Sequence, residues 1–248
     1  MIDYRQFKVP YLLEIAMRTL IFLTVVFGLT SFGIAKDLPS PTANLSIWPD
    51  LAPDETSREV GTKLPALKNV SPPITRLTNV RKPTLDVFPA AKPNGVGVLI
   101  LPGGGFNFVV PDLEGSEAAV ILNKVGITVF VLRYRTKRDK TDPGWKQALQ
   151  DSQRTMKYIR ANSKKWKLDK NKIGLLGFSA GGQVAARLLT DGGKLSYEAV
   201  DELDKLSHRP DFSILIYPWN MYVAKTKSLL PEIVVTKTVP PTFIVHTH

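Results

Sequence analysis

Continuous apolar runs, separated by amphipathic stretches, dominate the chain from residue 96 onwards. The runs at residues 96–101, 127–132 and 173–176 predict strands that are buried on both faces. Residues 212–217 and 242–246 predict two further strands. Buried strands that alternate with helices, without internal repeats, are typical of an α/β fold. We therefore expect a mostly parallel sheet with helices on both faces.

Amphipathic repeats predict the connecting helices. Residues 114–124 form one helical stretch, and a longer one opens at Asp142-Pro143, a pair typical of an N-cap and a first helical residue. Residues 74–78 and 84–88 alternate well enough to predict two short strands paired as a hairpin. Residues 36–73 are rich in proline and lack periodicity, so we expect an extended arm over the domain surface.

The first 35 residues have the pattern of a signal peptide. Arg18 precedes an apolar run at residues 20–27, and Gly33-Ile34-Ala35 offers small residues for cleavage. The segment 20–35 is shorter than the roughly 20 residues that a membrane-spanning helix needs. Acidic residues before Met17 are unusual in a signal peptide, which indicates Met17 as the true start. We expect a secreted or periplasmic protein with no stable membrane insertion after cleavage.

Composition narrows the function classes. The chain has 248 residues, 44% of them hydrophobic, which is enough for one α/β domain with a core. The formal charge is +11, but the basic residues are scattered, and the densest basic stretch, 133–140, has no interleaved aromatics beyond Tyr134. We therefore expect no nucleic acid partner. The absence of cysteine excludes disulfides, thiolate metal ligands and a cysteine nucleophile. Nucleotide-binding glycine motifs and H-E-x-x-H are also missing, so we expect no cofactor and no metal.

The strongest chemical signal is the pentapeptide that runs from Gly177 to Gly181 and contains Ser179. It follows the apolar run at 173–176 and opens an apolar helix, which is the strand–turn–helix context in which a G-x-S-x-G turn exposes a serine nucleophile.

A second signal is the glycine-rich sequence Pro102-Gly103-Gly104-Gly105, which ends the apolar run at 96–101. A tetrahedral oxyanion needs backbone N–H donors. We expect one from Ala180 and another from Gly104 or Gly105. Tight turns without a catalytic role are the alternative explanation of these glycines.

The base and acid of a serine triad are harder to place. In this fold the order is serine, then Asp or Glu, then histidine. The chain has three histidines, and all of them follow Ser179: His208, His246 and His248. We expect His208 to be a surface residue, and the other two to mark a strand end. No acidic residue is assigned to the triad.

Phe106, Trp219 and Asn220 are candidates for a substrate pocket. Phe106 follows the glycine-rich sequence, and the other two follow the predicted strand at 212–217. A packed aromatic side chain beside a turn is an equally good interpretation of Trp219. Glu114 lies near the glycines, where it is either a substrate contact or a charge at a helix N-terminus.

Four motifs together carry a family resemblance. They are Leu101-Pro102-Gly103-Gly104-Gly105-Phe106, Arg133-Tyr134-Arg135, residues 175–182 and residues 241–246. With them, residues 47–248 resemble the α/β-hydrolase-fold esterases and lipases of the acetyl-xylan esterase type, some of which carry the label endo-1,4-β-xylanase. Pro102 stands where related HGGG esterases have histidine, which leaves the backbone donors intact.

The resemblance implies a serine carboxylester hydrolase that acts on acetylated xylan, a related polysaccharide or a small acyl ester. It also implies an aspartate just after the strand that holds His246, then a further strand and the catalytic histidine. The sequence ends before these. We therefore expect a C-terminally truncated α/β-hydrolase domain over 74–248 that lacks the final strand and helix and is catalytically impaired.

Two other functions compete with hydrolysis. One is a non-catalytic secreted carbohydrate-binding pseudo-esterase. The other is a glycosidase, which would need two acidic residues across a cleft, and the sequence marks no such pair.

Overall fold

Eleven strands and three α-helices form the part of the chain that the computed structural model describes, residues 39–68 and 70–246. In chain order the strands are β1 (Ala43–Ser46), β2 (Val60–Lys63), β3 (Leu77–Val80), β4 (Thr84–Phe88), β5 (Gly97–Leu101), β6 (Thr128–Arg133), β7 (Ile173–Phe178), β8 (Phe212–Ile216), β9 (Tyr222–Val223), β10 (Ser228–Leu229) and β11 (Thr242–Val245). The helices are α1 (Glu117–Lys124), α2 (Trp145–Ala161) and α3 (Ser179–Thr190), with a π-helical turn at Asp112–Ser116 and 3₁₀ turns at Ser163–Trp166 and Glu202–Lys205. The predicted signal peptide, the start at Met17 and His248 lie outside the described residues.

A seven-stranded sheet with the order β1-β4-β6-β5-β7-β8-β11 forms the centre of the fold. Strands β6, β5, β7, β8 and β11 run parallel, whereas β4 is antiparallel to β6 and to β1. The five strands predicted from apolar runs are the five parallel ones. Because the carboxyl ends of parallel strands meet at one edge of a sheet, the segments after β5, β7 and β8 are brought together there.

Helices cover both faces of the sheet, as the sequence predicts. Side chains of β5 alternate between two apolar clusters, with Val98 and Ile100 on one face and Leu99 and Leu101 on the other. Helix α1 contributes Ala119 to the first cluster, and α2 and α3 cover the second. The described helices include none that is long and apolar enough to cross a membrane.

The proline-rich segment is less separate from the domain than its sequence suggests. Strand β1 pairs with β4 at the edge of the central sheet. Directly after it, Ile47 and Trp48 enter the core, and Trp48 Nε1 donates a hydrogen bond of 2.9 Å to Asp151 Oδ1 on α2. A four-residue strand and two buried side chains are too little to give a periodic pattern, so the sequence shows only the prolines.

The predicted hairpin is wrong. Strand β3 pairs with β2 instead, and β4 lies between β1 and β6. Helix α2 begins at Trp145, two residues after the predicted start, because the Asp142 carboxylate accepts the Gly144 N–H at 2.8 Å and forms a turn before the helix.

Candidate active site

Ser179 lies at the sharp turn where β7 passes into α3. Its φ is +48°, a left-handed value that is unusual for a residue other than glycine, and its side chain is half-buried. Strained backbone of this kind clusters at functional sites. It is also the conformation by which a nucleophile elbow lifts its hydroxyl above a sheet.

Gly181 explains why the elbow needs its second glycine. A Cβ added at this position would lie 2.1 Å from the carbonyl oxygen of Leu101 and 2.7 Å from that of Pro102. Only a hydrogen fits there, so the first turn of α3 rests directly on the end of β5. The elbow and the glycine-rich sequence are therefore in contact.

Residues 102–105 form a turn, called here the glycine turn, that lies beside Ser179. A Cβ built on Gly103 would stand 2.9 Å from Ser179 Cβ. Gly104 has a φ of +132°, and its carbonyl accepts the Asn107 N–H at 3.1 Å. The structure thus places Gly104, Gly105 and Ala180 around the same corner as the serine.

The amides of this corner differ in their partners. Gly103 N–H donates to Glu114 Oε2 at 2.5 Å. By contrast, no described residue accepts a hydrogen bond from the N–H groups of Gly104, Gly105 or Ala180. Helix α3 starts at Ser179, and the first N–H groups of a helix have no partner within it. The oxyanion role of these three residues stays a prediction, and the arrangement of their donors suits it.

The three predicted pocket residues also lie near the start of α3. Trp219 donates its backbone N–H to the Ser179 carbonyl at 2.9 Å, and the residue is 48% exposed. Phe106 is buried beneath it, with the ring centroids 6.1 Å apart. The Asn220 carbonyl accepts Gln183 Nε2 at 2.7 Å. Trp219 has exposed surface that a ligand could contact, whereas Phe106 has none. The role of these residues in a substrate pocket stays a prediction.

Glu114 bridges two of the loops around Ser179. Its carboxylate accepts the Gly103 N–H and, through Oε1, the Tyr217 hydroxyl at 2.7 Å. Burial, followed by the hydrogen bond to Glu114 and its charge, raises the pKa of Tyr217 well above its usual value, so this phenol remains a donor. The sequence gives no signal for a contact between residues 103 positions apart.

His208 is not the base of this site. It is buried, and its Nε2 lies 2.9 Å from Asp191 Oδ2, just beyond the last residue of α3. Ser179 is the first of the 12 residues of this helix, which spans roughly 18 Å at about 1.5 Å per residue. A general base must lie within hydrogen-bonding reach of its serine. The predicted surface position is also wrong, because the contact with Asp191 satisfies the imidazole inside the protein.

The other histidines are placed as follows. His246 directly follows β11, which stands two strands from β7 in the sheet order. His248 is outside the described residues. Within residues 39–68 and 70–246 there is no group of three or more His, Asp or Glu side chains with the geometry to hold a metal ion.

Comparison with known proteins agrees with this geometry. The mostly parallel sheet, the sharp turn at Ser179 and the adjoining glycine turn together define the fold of an α/β hydrolase. A model of the BD-FAE family matches residues 85–216, more than half of the chain. The chain therefore belongs to the BD-FAE family, and the predicted resemblance to acetyl-xylan esterases is confirmed.

Two curated relatives are similar over part of their length. An acetylxylan esterase of Xylanibacter ruminicola is 33% identical over 143 residues, which are 57% of this chain and 26% of the relative. Endo-1,4-beta-xylanase B of Butyrivibrio fibrisolvens is 36% identical over 121 residues, 49% of this chain and 19% of the relative. The chain thus matches about a quarter or less of these proteins.

Solved structures confirm the predicted fold class. An acetyl ester-xyloside bifunctional hydrolase from Caldicellulosiruptor lactoaceticus superposes with a TM-score of 0.55 and 26% identity, covering 84% of this chain and 75% of the other. The apo form of Thermogutta terrifontis esterase 2 gives a TM-score of 0.53 at 18% identity, over 77% of this chain and 73% of the other, and shows the fold alone.

Proposed function

We propose that this protein is a serine carboxylester hydrolase that deacetylates acetylated xylan or a related polysaccharide. The observation that carries the proposal is the contact between the strained Ser179 elbow and the glycine turn. Ser179 Oγ attacks the acyl carbon, and the developing oxyanion accepts hydrogen bonds from Ala180 N–H and from Gly104 or Gly105 N–H. The acyl C–O bond then breaks, the sugar oxygen leaves as a hydroxyl with the proton lost by the serine, and water hydrolyses the acyl-serine to acetate and free Ser179. No step of this chemistry needs a cofactor.

The substrate class is supported by the relatives and by the surface beside the serine. An acetylxylan esterase and an acetyl ester-xyloside hydrolase are among the similar proteins. Trp219 is half-exposed and its backbone N–H is bonded to the Ser179 carbonyl, and an exposed aromatic residue at this position suits packing against a sugar ring. Small acyl esters remain within the proposed range. We also propose export from the cytoplasm, for which the N-terminal pattern is the support.

We further propose that this chain is a weak catalyst by itself. His208 is bound to Asp191 at the far end of α3, and His246 stands where the resemblance places the start of the acid's loop. Loss of a triad member typically costs about 10⁴–10⁶ in turnover and leaves binding and the oxyanion donors in place.

A fluorophosphonate probe tests the proposal, with peptide mass mapping of the labelled residue. We expect slow covalent labelling of Ser179, no labelling in Ser179→Ala, and normal labelling in Ser228→Ala, an exposed serine on β10. Hydrolysis of p-nitrophenyl acetate is expected to be slow or undetectable. Labelling at another residue, or none after prolonged incubation, would refute the hydrolase proposal.

The second candidate is a carbohydrate-binding pseudo-esterase. The exposed Trp219, together with the commitment of His208 elsewhere, favours it. Retention on acetylated xylan that is lost in Trp219→Ala, combined with an unreactive Ser179, would establish this function instead of hydrolysis.

A further inference from the structure

Resting on the proposed hydrolase function, we infer that Glu114 is a positioning residue for the oxyanion site. Its carboxylate, shared between Gly103 and Tyr217, fixes the glycine turn so that the next amides face Ser179. The sequence suggested a substrate contact or a charge at a helix N-terminus for Glu114, and the geometry assigns it a different task.

The first step of the argument concerns a single peptide group. Pro102 C=O and Gly103 N–H belong to the same planar unit. The Tyr134 hydroxyl donates to the Pro102 oxygen at 2.5 Å, and Glu114 accepts the Gly103 N–H at 2.5 Å. Both polar ends of this unit are therefore held. Its orientation sets the direction in which the chain enters Gly104 and Gly105.

The second step concerns what holds Glu114. Its other oxygen accepts the Tyr217 hydroxyl, and Tyr217 begins the loop whose Trp219 N–H donates to the Ser179 carbonyl. The carboxylate thus connects the glycine turn to a loop that is itself bonded to the nucleophile. Movement of either segment would change the distance between Ser179 and the oxyanion donors.

The third step concerns the chemistry of the bridge. Glu114 meets one N–H donor and one O–H donor, so both of its oxygens act as acceptors. Burial, then the charge of Glu114, raises the pKa of Tyr134, so the hydroxyl that holds Pro102 is protonated at neutral pH. A glutamine at position 114 has the shape to keep both bonds, because its Oε1 accepts from Gly103 and its Nε2–H donates to the Tyr217 oxygen.

The experiment compares Glu114→Ala, Glu114→Gln and Tyr217→Phe in the rate of fluorophosphonate labelling of Ser179, resolved into kinact and KI. In Glu114→Ala we expect kinact to fall by about 10- to 100-fold, because the phosphonyl oxygen no longer meets well-placed donors, while KI changes by less than about threefold. Glu114→Gln is expected to remain within about threefold of the parent chain. Glu117→Ala removes a nearby carboxylate and is expected to leave kinact unchanged.

Failure of this inference and failure of the proposed function are distinguishable. Normal labelling of the parent chain together with an unchanged kinact in Glu114→Ala would overturn the positioning role and leave the hydrolase proposal intact. An unreactive parent chain would refute the hydrolase. In that case, amide hydrogen exchange of the peptide spanning residues 102–108 still tests whether Glu114 holds the glycine turn in place. Faster exchange in Glu114→Ala, restored in Glu114→Gln, supports the bridge, and equal exchange overturns it.

Folding of the variants is monitored by thermal unfolding. If Glu114→Ala does not fold, Tyr217→Phe carries the test. Slower labelling or faster exchange in Tyr217→Phe supports the bridge, whereas parent-like values of both in this variant overturn it.

Discussion

The buried ion pair between Asp151 and Arg135 is expected to be a major determinant of stability. Both side chains are fully buried, with Arg135 Nη2 at 3.0 Å from Asp151 Oδ1. Asp151 also accepts the Arg135 backbone N–H and the indole N–H of Trp48, each at 2.9 Å. Asp151→Asn keeps the size of the side chain but removes the nearer carboxylate charge, and leaves Arg135 only the longer contact of its Nη1 with Glu55 Oε1 at 3.7 Å.

The magnitude follows from that burial. Removing one partner of a buried ion pair typically costs about 3–5 kcal/mol. In a domain of about 200 residues, each kcal/mol lowers Tm by roughly 2–4 °C. At the lower figure of about 3 kcal/mol, we expect Asp151→Asn to lower Tm by roughly 6–12 °C in scanning calorimetry. The matched control is Glu202→Gln, whose pair with Lys205 is exposed at 85% and 73%. We expect this variant to change Tm by less than about 3 °C.

A double-mutant cycle tests the reasoning more sharply. Because Trp48 and Asp151 share a hydrogen bond, Trp48→Phe and Asp151→Asn are expected to be non-additive by about 0.5 kcal/mol or more. Equal small shifts in Asp151→Asn and Glu202→Gln, with additive effects in the cycle, would refute the account. Attachment of the proline-rich segment would then depend on the β1–β4 pairing and on apolar burial rather than on the Trp48–Asp151 contact.

Three further predictions concern the elbow, the acid limb of stability and the sheet edge. Gly181→Ala is expected to abolish fluorophosphonate labelling of Ser179, because its Cβ would lie 2.1 Å from the Leu101 oxygen; parent-like labelling would contradict this. Burial acts to raise the pKa of Asp204, but a hydrogen bond from Tyr197 and nearby positive charges lower it to about 2. The free energy of unfolding should therefore fall as pH drops from about 4 to 2. Urea titrations should show a smaller fall in Asp204→Asn than in the parent chain, and an equal fall in both would contradict this prediction. Ile244, 55% exposed on β11 at the end of the described sheet, is expected to promote self-association at high concentration, and Ile244→Lys to reduce it in size-exclusion chromatography; unchanged elution would count against this role.

The candidate reacting groups could be predicted from the sequence because they depend on local patterns. A G-x-S-x-G turn after an apolar run needs its glycines for close packing, and the glycine turn follows the same kind of run. Strands β5 and β7 are hydrogen-bonded neighbours, so both turns emerge at one edge of the sheet. The contact between Gly181 and the end of β5 follows from this arrangement.

Partners that are distant in the chain could not be predicted in the same way. Alternation in β3 and β4 predicts two strands but does not name their neighbours, so the hairpin was the wrong pairing. His208 is flanked by polar residues that suggest exposure, yet Asp191 satisfies its ring at a buried position. A buried polar group costs little once it is hydrogen-bonded, and the sequence does not show which residue provides the bond.

The same reasoning explains why the groups that hold the site are harder to find than those that would react. A nucleophile elbow restricts several adjacent positions at once, and this restriction is visible as a motif. The bridge between Gly103 and Tyr217 needs only one carboxylate within reach of both, which Glu114 provides. A single acidic residue on a polar helical turn is common in any sequence and forms no motif. Trp48 and Asp151 are likewise single residues, 103 positions apart, whose contact exists only once the sheet has formed. A structure is therefore most informative about side chains that join distant segments, because sequence motifs do not reveal them. Substitutions at Glu114 test the alignment of the site, and substitutions at Asp151 separately test the attachment of the proline-rich segment.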